Sequence, residues 1–550
     1  MQVTEPDGLA IARRIHARDV SLWSQEPQTQ SAIRQRLGWL DTPAWLKSNQ
    51  NKLCDWAGSI QARGFERAVL LGMGGSSLAA EMLARVFGAC GSGLPVVVLD
   101  DTHPDAVLAV AQNGDLGKTL FVASSKSGNT AEVSALLAYF WAALESKGIR
   151  GGANFVAVTD DGSPLAKLAR DREFDRCFLN PVDIGGRYSA LSAFGMVPAA
   201  LLGLDLDRLQ ASADSALENS KPDLAFADHS ALALGRMMGR AAAEGRDKLT
   251  VLLSPELAPF AGWVEQLVAE STGKSGVGIV PITGESLPTE AYGNDRMFAV
   301  LMLEGDRTLQ AESDAIEAAG HPLFRQRLKD IYELGGAFFH WQFAVAVAGA
   351  VLGVNPFDEP DVNRSKANAV CLLDDPEAGD SSELVTVLAQ DQNIVLRGVT
   401  ASTPGESGIR AQLGLFLRSI EPGDYLCLLP YLYRDEPLQR SLYDLVEVLK
   451  SALKVPVTLN PGPRYLHSTG QLHKGGANCG VFVILRSQPE IDLEIPEASY
   501  TFGDLNRAQA EGDFVTLAEA GRRVLQVDLI GSPRRALQGL VEAATQIVTC

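Results

Sequence analysis

Glu270 lies where a carboxylate could move a proton on and off a bound substrate. The residues from Pro259 to Glu270 predict a helix, and Gly273 in the following Ser-Thr-Gly-Lys is a helix stop signal. The negative end of the helix dipole disfavours a carboxylate, so Glu270 is easier to protonate, which suits a general base that must return its proton. Gln266 lies one turn earlier on the same face. A solvated terminal glutamate is the more frequent occupant of such a position, and the local sequence leaves both interpretations open.

A single arginine follows two glycines in the segment Asp183 to Ser189. This residue, Arg187, comes just before an apolar helix predicted from Ala190 to Leu202, so its guanidinium has a fixed position. It could stabilise an oxyanion that forms on a bound substrate. It could equally pair with a surface carboxylate, which is the usual state of an isolated arginine.

A loop of hydroxyl groups follows the apolar strand Thr119 to Val122 and precedes a helix from Ala131 to Leu144. The unpaired amides and positive dipole end of that helix favour an anion, and the loop adds hydroxyl donors and one lysine. The residues predicted to hold a phosphate group are Ser125, Lys126, Ser127 and Thr130. An ordinary Ser/Gly turn explains the same loop equally well when the loop is considered alone.

A glycine-rich turn, Leu70 to Ser77, follows the first predicted strand and opens a helix at Leu78. Its glycines, Gly74 among them, allow a ligand to approach the backbone, and Ser76 adds a hydroxyl that suits a sugar or a phosphate. The turn lacks the GxGxxG spacing of a dinucleotide site. Tight packing of the strand against the helix accounts for the turn as well as ligand binding does.

Two further loops contain ionisable groups. The segment Gly353 to Lys366 joins a buried helix to another helix and places Glu359 and Lys366 near the start of the latter. The segment Tyr465 to Gly476 groups two histidines, a lysine and hydroxyls, and His467 could transfer protons near neutral pH. Because a loop histidine is more often a surface residue than a catalyst, this second loop alone does not identify a catalyst.

Composition limits the function classes. The chain has 550 residues, of which 46% are hydrophobic and 21% charged, as is typical of a globular enzyme with two or three units. A formal charge of −19 argues against nucleic-acid and acidic-membrane partners. Seven cysteines without CxxC or zinc spacing indicate reduced thiols in the cytoplasm and no metal site. The start of the chain lacks the apolar core of a signal peptide, and the apolar run Phe343 to Val354 is too short for a membrane span and predicts a buried helix.

Strands and helices alternate along the chain, which predicts an α/β fold with two doubly wound parallel-sheet domains in tandem and an additional C-terminal α/β segment. We expect a helical arm at residues 1–50, a first domain at 51–225, a second at 226–380 and the C-terminal segment at 381–550. The predicted strands are Arg67–Leu71, Leu94–Leu99, Thr119–Val122, Phe155–Val158, Leu249–Leu253, Val277–Ile282, Phe298–Leu303, Glu383–Leu388, Asp424–Leu429, Val455–Leu459 and Gly480–Leu485.

Taken in order, these segments resemble the glucose-6-phosphate isomerase family over roughly residues 65 to 370. Gly-Met-Gly-Gly-Ser-Ser is similar to the family's Gly-Ile-Gly-Gly-Ser, and Ser-Lys-Ser-Gly-Asn-Thr to its Ser-Lys-Thr-x-x-Thr phosphate loop. Gly-Gly-Arg-Tyr-Ser is nearly unaltered, and Glu-Ser-Thr-Gly-Lys resembles the catalytic Glu-Ser-x-Gly-Lys. Asn-Pro-Phe-Asp-Glu-Pro-Asp-Val-Asn-Arg-Ser-Lys aligns without a gap on Asn-x-Phe-Asp-Gln-x-Gly-Val-Glu-x-x-Lys.

The resemblance implies a fold of two sugar-isomerase (SIS) domains and a role for each matched residue. Glu270 would move a proton between C1 and C2, Arg187 would stabilise the enediolate, and Lys366 would assist ring opening. No metal or nucleotide cofactor is implied. The residues implied in binding the sugar and its phosphate are Gly74, Ser76, Ser125, Lys126, Ser127, Thr130, Gln266 and Glu359, the last standing where the family has glutamine.

The ring-opening histidine of the family lies in a His-Ser-x-x-Gln element between the catalytic glutamate and the terminal lysine. The matching element here, His467-Ser-Thr-Gly-Gln471, follows Lys366 instead. We prefer His467 to His321 or His340 for this role because only its neighbours match.

The region after the lysine signature is longer than is usual in the family. Together with Tyr500-Thr-Phe-Gly-Asp-Leu and Tyr425-Leu-Cys-Leu-Leu-Pro-Tyr, it resembles the isomerase half of fused transaldolase–glucose-6-phosphate isomerase enzymes.

The predicted function is an aldose–ketose isomerase of glycolysis and gluconeogenesis that interconverts glucose 6-phosphate and fructose 6-phosphate through an enediolate. One alternative is a phosphosugar-binding regulatory module without catalysis, and another is an isomerase that also accepts mannose 6-phosphate. A third is a subunit that works only beside a separate transaldolase. The resemblance also implies a homodimer, because in the family a histidine comes from the neighbouring subunit.

Overall fold

The computed structural model describes residues 5–225, 229–374, 385–399, 408–433 and 435–548. The predicted boundaries at residues 226 and 380–381 lie outside the described residues, as do residues 1–4 of the predicted arm and residues 383–384 of the predicted strand Glu383–Leu388. The four-region division of the chain therefore stays a prediction.

The described chain alternates strands with helices over most of its length. The strands are β1 Arg67–Gly72, β2 Val96–Leu99, β3 Thr119–Ser124, β4 Phe155–Asp160, β5 Arg176–Asn180, β6 Lys248–Leu253, β7 Val280–Thr283, β8 Arg296–Leu303, β9 Leu323–Leu328, β10 Thr386–Gln390, β11 Ile394–Gly398, β12 Tyr425–Tyr431, β13 Val457–Leu459, β14 Gly480–Ser487 and β15 Arg523–Leu529. The helices are α1 Glu5–His16, α2 Pro27–Arg34, α3 Thr42–Ala62, α4 Leu78–Phe87, α5 Pro104–Gln112, α6 Ala131–Ser146, α7 Pro164–Asp171, α8 Ala193–Leu201, α9 Leu206–Glu218, α10 Ser230–Ala243, α11 Phe260–Thr272, α12 Gln310–Ala318, α13 Leu334–Leu352, α14 Val362–Asp374, α15 Ile409–Arg418, α16 Glu436–Leu453, α17 Gly470–Gly475, α18 Phe502–Glu519 and α19 Pro533–Val548.

The chain divides into two compact units. Unit 1 comprises Met1–Asp100 and Gly114–Glu359, and unit 2 comprises Asp101–Asn113 and Pro360–Cys550. The short segment that contains α5 therefore belongs to unit 2, although it lies between two strands of unit 1 in the sequence.

The first sheet of unit 1 has the strand order β2-β1-β3-β4-β5, and all its neighbouring strands are parallel. Its central strands are buried on both faces and read as continuous apolar runs, as expected for a parallel sheet covered by helices. On one face, Phe121 of β3 stacks on Phe140 of α6, with ring centroids 4.7 Å apart. The predicted α/β fold with parallel sheets is confirmed.

The second sheet of unit 1 is also parallel, with the order β7-β6-β8-β9. Beside it lies α13, a helix that is apolar on all sides and packs against α9, α10 and α11. The segment Ile331–Leu352 is long and apolar enough to cross a membrane, but 89% of its most apolar window is buried inside the structure. The predicted buried helix is therefore confirmed as a core helix of unit 1.

Unit 2 is built on a six-stranded mixed sheet with the order β10-β11-β15-β14-β12-β13. The strands β12 to β15 are parallel, whereas β11 pairs antiparallel with both of its neighbours. The helices α15, α16 and α19 pack together on this sheet, while α18 packs against α14. Unit 2 is thus an α/β unit with its own hydrophobic core.

Candidate active site

The loops predicted to bind a ligand follow β1 and β3, which are neighbours in the first sheet. The chain leaves β1 toward β2 on one side and leaves β3 toward β4 on the other, so the strand order reverses between them. In open parallel sheets, ligands bind at the carboxyl ends of the strands at such a switch point. The fold therefore places both loops where a ligand site is expected.

The turn after β1 is shaped by its glycines. Gly74 has φ +53°, and a Cβ on Gly75 would lie 2.2 Å from the carbonyl carbon of Gly186, so this backbone contact requires glycine. The carbonyl of Ser76 accepts a hydrogen bond from Ser124 Oγ at 2.9 Å. Gly74 and Ser76 thus lie in a turn that touches both the end of β3 and the backbone beside Arg187.

The loop after β3 is held by its own hydroxyl groups. Ser125 Oγ lies 2.8 Å from Thr130 Oγ1 and accepts a hydrogen bond from Gly128 N at 3.1 Å. Ser127 Oγ donates to Asn129 Oδ1 at 2.6 Å. Thr130 is the residue directly before α6, so the predicted phosphate loop does open a helix of 16 residues.

Lys126 points to a neighbouring loop within unit 1. Its Nζ is ion-paired with Asp160 and donates to the carbonyl of Val182 at 2.9 Å. Burial raises the pKa of Asp160, although Lys126 opposes that shift. The ammonium that the sequence predicted as a phosphate ligand is therefore partly compensated by a carboxylate already.

Arg187 is the most constrained side chain of the site. Its Nε donates to Ser271 Oγ at 2.9 Å, and its Nη1 donates to Glu359 Oε2 at 3.0 Å. Its Nη2 donates to the carbonyls of Pro356 and Asp358 at 2.9 and 2.8 Å. These contacts fix the guanidinium, as the sequence predicted, and the side chain is buried, with 4% of it exposed.

Glu270 lies beside this guanidinium. It occupies the last turn of α11, and its Oε1 is 3.3 Å from Arg187 Nη1. Gln266, one turn earlier, donates from Nε2 to Glu270 Oε2 at 3.1 Å. The structure therefore brings together a carboxylate and a guanidinium that are 83 positions apart in the sequence.

The charges of this cluster are mutually stabilised. Burial by itself would lower the pKa of Arg187, but the carboxylates of Glu270 and Glu359 raise it above its ordinary value. Burial would raise the pKa of Glu359, but Arg187 dominates and lowers it. The guanidinium is thus a permanent cation next to a carboxylate, which is the pairing that proton transfer through an oxyanion requires.

The sequence predicts no role for Lys274, but the structure places this residue close to Arg187 and Glu359. Its Nζ donates to the carbonyls of Asn355 and Asp358, and it pairs with Asp358 Oδ1 at 2.7 Å. Burial and the nearby Arg187 lower the pKa of Lys274 to about 8. Lys274 therefore holds the same loop that supplies two of the carbonyl acceptors of Arg187.

Lys366 and His467 belong to unit 2. Lys366 is exposed on α14, and the turn that contains His467 packs against this helix. The side-chain amide of Gln471 contacts Asp361 twice, donating to Oδ2 at 2.6 Å and accepting from the backbone N–H at 2.9 Å. Unit 2 thus brings the His-Ser-Thr-Gly-Gln element and the end of the lysine signature together.

The two other histidines considered for ring opening lie in unit 1. Burial lowers the pKa of His340, on α13, to about 4. Burial also lowers the pKa of His321, whose ring lies 5.2 Å from that of Phe298. Which histidine opens the sugar ring stays a prediction.

Comparison with known proteins identifies the family. The phosphoglucose isomerase family model matches residues 47–278. A probable glucose-6-phosphate isomerase from Natronomonas pharaonis is 30% identical over 347 residues, which cover 56% of this chain and 79% of that protein. The chain belongs to the phosphoglucose isomerase family. A glucose-6-phosphate isomerase from Clostridioides difficile, another relative, is 28% identical over 402 residues, which cover 62% of this chain and 87% of that protein.

Two solved structures share the fold. A hypothetical protein from Thermus thermophilus has a TM-score of 0.56 at 26% identity, with 66% of this chain and 93% of that chain covered. A glucose-6-phosphate isomerase from Chlamydia trachomatis has a TM-score of 0.54 at 20% identity, covering 68% of this chain and 88% of that chain, and so supports the fold. The phosphoglucose isomerase model ends at residue 278, before the six-stranded sheet of unit 2 begins.

Proposed function

We propose that this chain interconverts glucose 6-phosphate and fructose 6-phosphate by moving a proton between C1 and C2 through an enediolate. The observation that carries the proposal is the 3.3 Å contact of Glu270 with Arg187 in a member of the phosphoglucose isomerase family. A proton on the carbon next to a carbonyl is weakly acidic, so its removal needs both a base and a cation beside the developing oxyanion.

In this mechanism Glu270 is the base and Arg187 is the cation. Glu270 takes the proton from one carbon and returns it to the next, while the enediolate oxygen faces the guanidinium. Because Arg187 is fixed by Ser271 and by the loop that ends at Glu359, it need not reorganise as charge develops. Gln266 orients the carboxylate through its hydrogen bond to the second oxygen of Glu270.

The phosphate group of the substrate is bound by the loop that opens α6. A chain with a formal charge of −19 needs local donors to attract a phosphate dianion, and the N-terminus of α6 supplies them. The hydroxyls of Ser125, Ser127 and Thr130 add donors, and Lys126 adds charge. Gly74 and Ser76 complete the binding surface at the end of β1.

Ring opening of the cyclic sugar is assigned to His467 and Lys366. The support for this assignment is their position in the two matching sequence elements, which pack together in unit 2. A histidine near neutral pH can both donate a proton to the ring oxygen and accept one from the anomeric hydroxyl.

Replacement of Glu270 by glutamine tests the function. We expect Glu270→Gln to lose turnover of fructose 6-phosphate by about 10²- to 10⁴-fold, the range that a general base contributes, while it retains binding of the sugar phosphate. Glu256→Gln is the matched control, because Glu256 is exposed elsewhere in unit 1, and it should keep full activity. Full turnover in Glu270→Gln would reject the mechanism.

The same assays separate the alternatives. A regulatory module would bind sugar phosphate without any turnover in the parent chain, and rates on mannose 6-phosphate compared with glucose 6-phosphate would show whether both epimers are accepted. Activity of the purified chain alone would exclude dependence on a separate transaldolase.

Three finer features belong to this proposal. The enzyme acts in the cytoplasm, where its substrates occur and its thiols stay reduced. It works as a homodimer, as the resemblance implies, and sedimentation of the purified chain measures this. It uses no metal or nucleotide cofactor, so activity should survive treatment with a chelator.

A further inference from the structure

The turn that follows α2 packs beside the loop that leads to the guanidinium of the candidate active site. Leu37 forms an antiparallel bridge with Ile184, and Gly38 N donates to the carbonyl of Asp183 at 2.9 Å. A Cβ on Gly38 would lie 2.3 Å from Asp183 Oδ1, so this close approach requires glycine. These contacts hold Arg36, the residue directly before them, beside the same loop.

The side chain of Arg36 packs on the loop itself. It is half-buried, and a Cβ on Gly185 would lie 3.5 Å from its Cδ, so its apolar stem touches the backbone two residues before Arg187. At the start of this loop, the carbonyl of Val182 accepts a hydrogen bond from Lys126 Nζ at 2.9 Å. Arg36 therefore lies against the short loop that runs from the acceptor of Lys126 to Arg187.

The charge of Arg36 acts on carboxylates at both ends of this loop. Burial raises the pKa of Asp160, the partner of Lys126, and Arg36 is among the groups that oppose that shift. Burial would also raise the pKa of Glu359, but Arg187 outweighs burial, and Arg36 lowers this pKa further. The guanidinium of Arg36 is thus within electrostatic reach of both the phosphate loop and the catalytic pair.

The three cations of the site in unit 1 are already paired within the chain. The ion pairs are Lys126 with Asp160, Lys274 with Asp358, and Arg187 with Glu270 and Glu359. These carboxylates outnumber the cations, so the cluster has no excess of positive charge for a phosphate dianion. A further cation beside the cluster would strengthen the binding of such an anion.

Arg36 differs from these three cations because it forms no ion pair within the described chain. Its Nη1 donates to the carbonyl of its neighbour Gln35 at 3.2 Å, and its other donors can turn to an anion that enters the site. We propose that Arg36 is a further substrate-binding residue of the isomerase site, whose guanidinium pairs with the phosphate group of the sugar phosphate. This inference rests on the proposed function. The planar fork of arginine matches two oxygens of one phosphate group.

Replacement of Arg36 by glutamine in the full chain tests this role with two measurements. Steady-state kinetics give the KM and kcat for fructose 6-phosphate, and a ³¹P NMR titration gives the Kd for inorganic phosphate without any need for turnover. We expect Arg36→Gln to raise both the KM and this Kd by about 10- to 100-fold, the effect of one lost hydrogen bond to a charged group, with a smaller change in kcat. Arg36→Lys keeps the charge and should lose less affinity for both ligands than Arg36→Gln.

Arg34→Gln is the matched control, because it removes the same charge from an exposed position two residues away, in the last turn of α2. It should bind and turn over fructose 6-phosphate as the parent does. Three results would overturn the proposal: parent affinity for both ligands in Arg36→Gln, a weakened affinity for fructose 6-phosphate with unchanged affinity for inorganic phosphate, or equal losses in Arg36→Gln, Arg36→Lys and Arg34→Gln. Failure of the proposed function would appear differently, as an absence of turnover in the parent, and the phosphate titration would still decide the role of Arg36.

Discussion

Replacing Arg187 by lysine is a demanding test of the site, because the change keeps the positive charge and removes the planar fork of donors. Arg187 donates four hydrogen bonds, to Ser271, Glu359, Pro356 and Asp358. A lysine ammonium has three donors on one atom, so it cannot reach acceptors spread around a whole guanidinium.

We expect Arg187→Lys to lose about two of these hydrogen bonds, which at about 1 kcal/mol each lowers the free energy of unfolding by about 2 kcal/mol. The larger effect falls on catalysis. Loss of one preorganised group beside an oxyanion costs about 10²- to 10³-fold in kcat. The KM for fructose 6-phosphate should change little, since the phosphate loop does not depend on Arg187.

A coupled assay of glucose 6-phosphate formation measures kcat and KM, and urea unfolding measures stability. Arg170→Lys, at an exposed position on α7, is the matched control and should leave both quantities unchanged. If Arg187→Lys retained the parent kcat, charge alone would suffice and the argument from fixed geometry would be wrong.

Three further variants test other parts of the account. Because burial lowers the pKa of Lys274 to about 8, below its ordinary value of 10.5, the unfolded chain holds its proton over a pH range in which the folded chain has released it. The stability that this group contributes should therefore rise between about pH 8 and 10.5, and urea unfolding of Lys274→Met should lack that part of the rise seen in the parent. Lys126→Met should raise the KM for fructose 6-phosphate about tenfold with a smaller effect on kcat, because it removes a charge from the phosphate loop. His467→Ala should slow turnover of the cyclic sugar about 10²-fold and spare the open-chain form, which stopped-flow rates on the two forms would measure.

A specific result would contradict each of these three expectations. If the stability of Lys274→Met and of the parent rose equally between about pH 8 and 10.5, this lysine would not titrate across that range. An unchanged KM in Lys126→Met would indicate that the lysine serves only its ion pair with Asp160. If His321→Ala slowed ring opening and His467→Ala did not, the assignment of ring opening to His467 would be wrong.

The sequence predicted most of the apolar strands and missed β5, β9, β11 and β15. The strands β5 and β9 carry polar and charged residues because they are edge strands with one open side. The interior strand β15 was missed for another reason, since Asp528 interrupts its apolar residues. Arg397 and Arg486 donate to the two oxygens of that buried carboxylate at 3.0 and 2.9 Å, and no local pattern reveals such distant partners.

In the candidate site, too, local sequence patterns do not reveal contacts between distant residues. Local motifs indicated Glu270 and Arg187 separately, but their contact depends on how α11 packs beside the loop before α8, which is a tertiary property. Lys274 lies in the Glu-Ser-Thr-Gly-Lys element, but its role could not be predicted, because its acceptors lie in a loop more than 80 residues away. The sequence also does not reveal that the segment Asp101–Asn113 belongs to unit 2, because its pattern is that of an ordinary helix connecting two parallel strands.

Transfer of solvent deuterium tests the central claim most directly. Fructose 6-phosphate is converted in D₂O, and deuterium at C2 of the glucose 6-phosphate formed is measured by NMR for the parent, Glu270→Gln and Glu256→Gln. We predict that the parent and Glu256→Gln incorporate deuterium during turnover and that Glu270→Gln loses incorporation at least about 10²-fold. Incorporation at the parent rate in Glu270→Gln would contradict the assignment of Glu270 as the group that moves the proton.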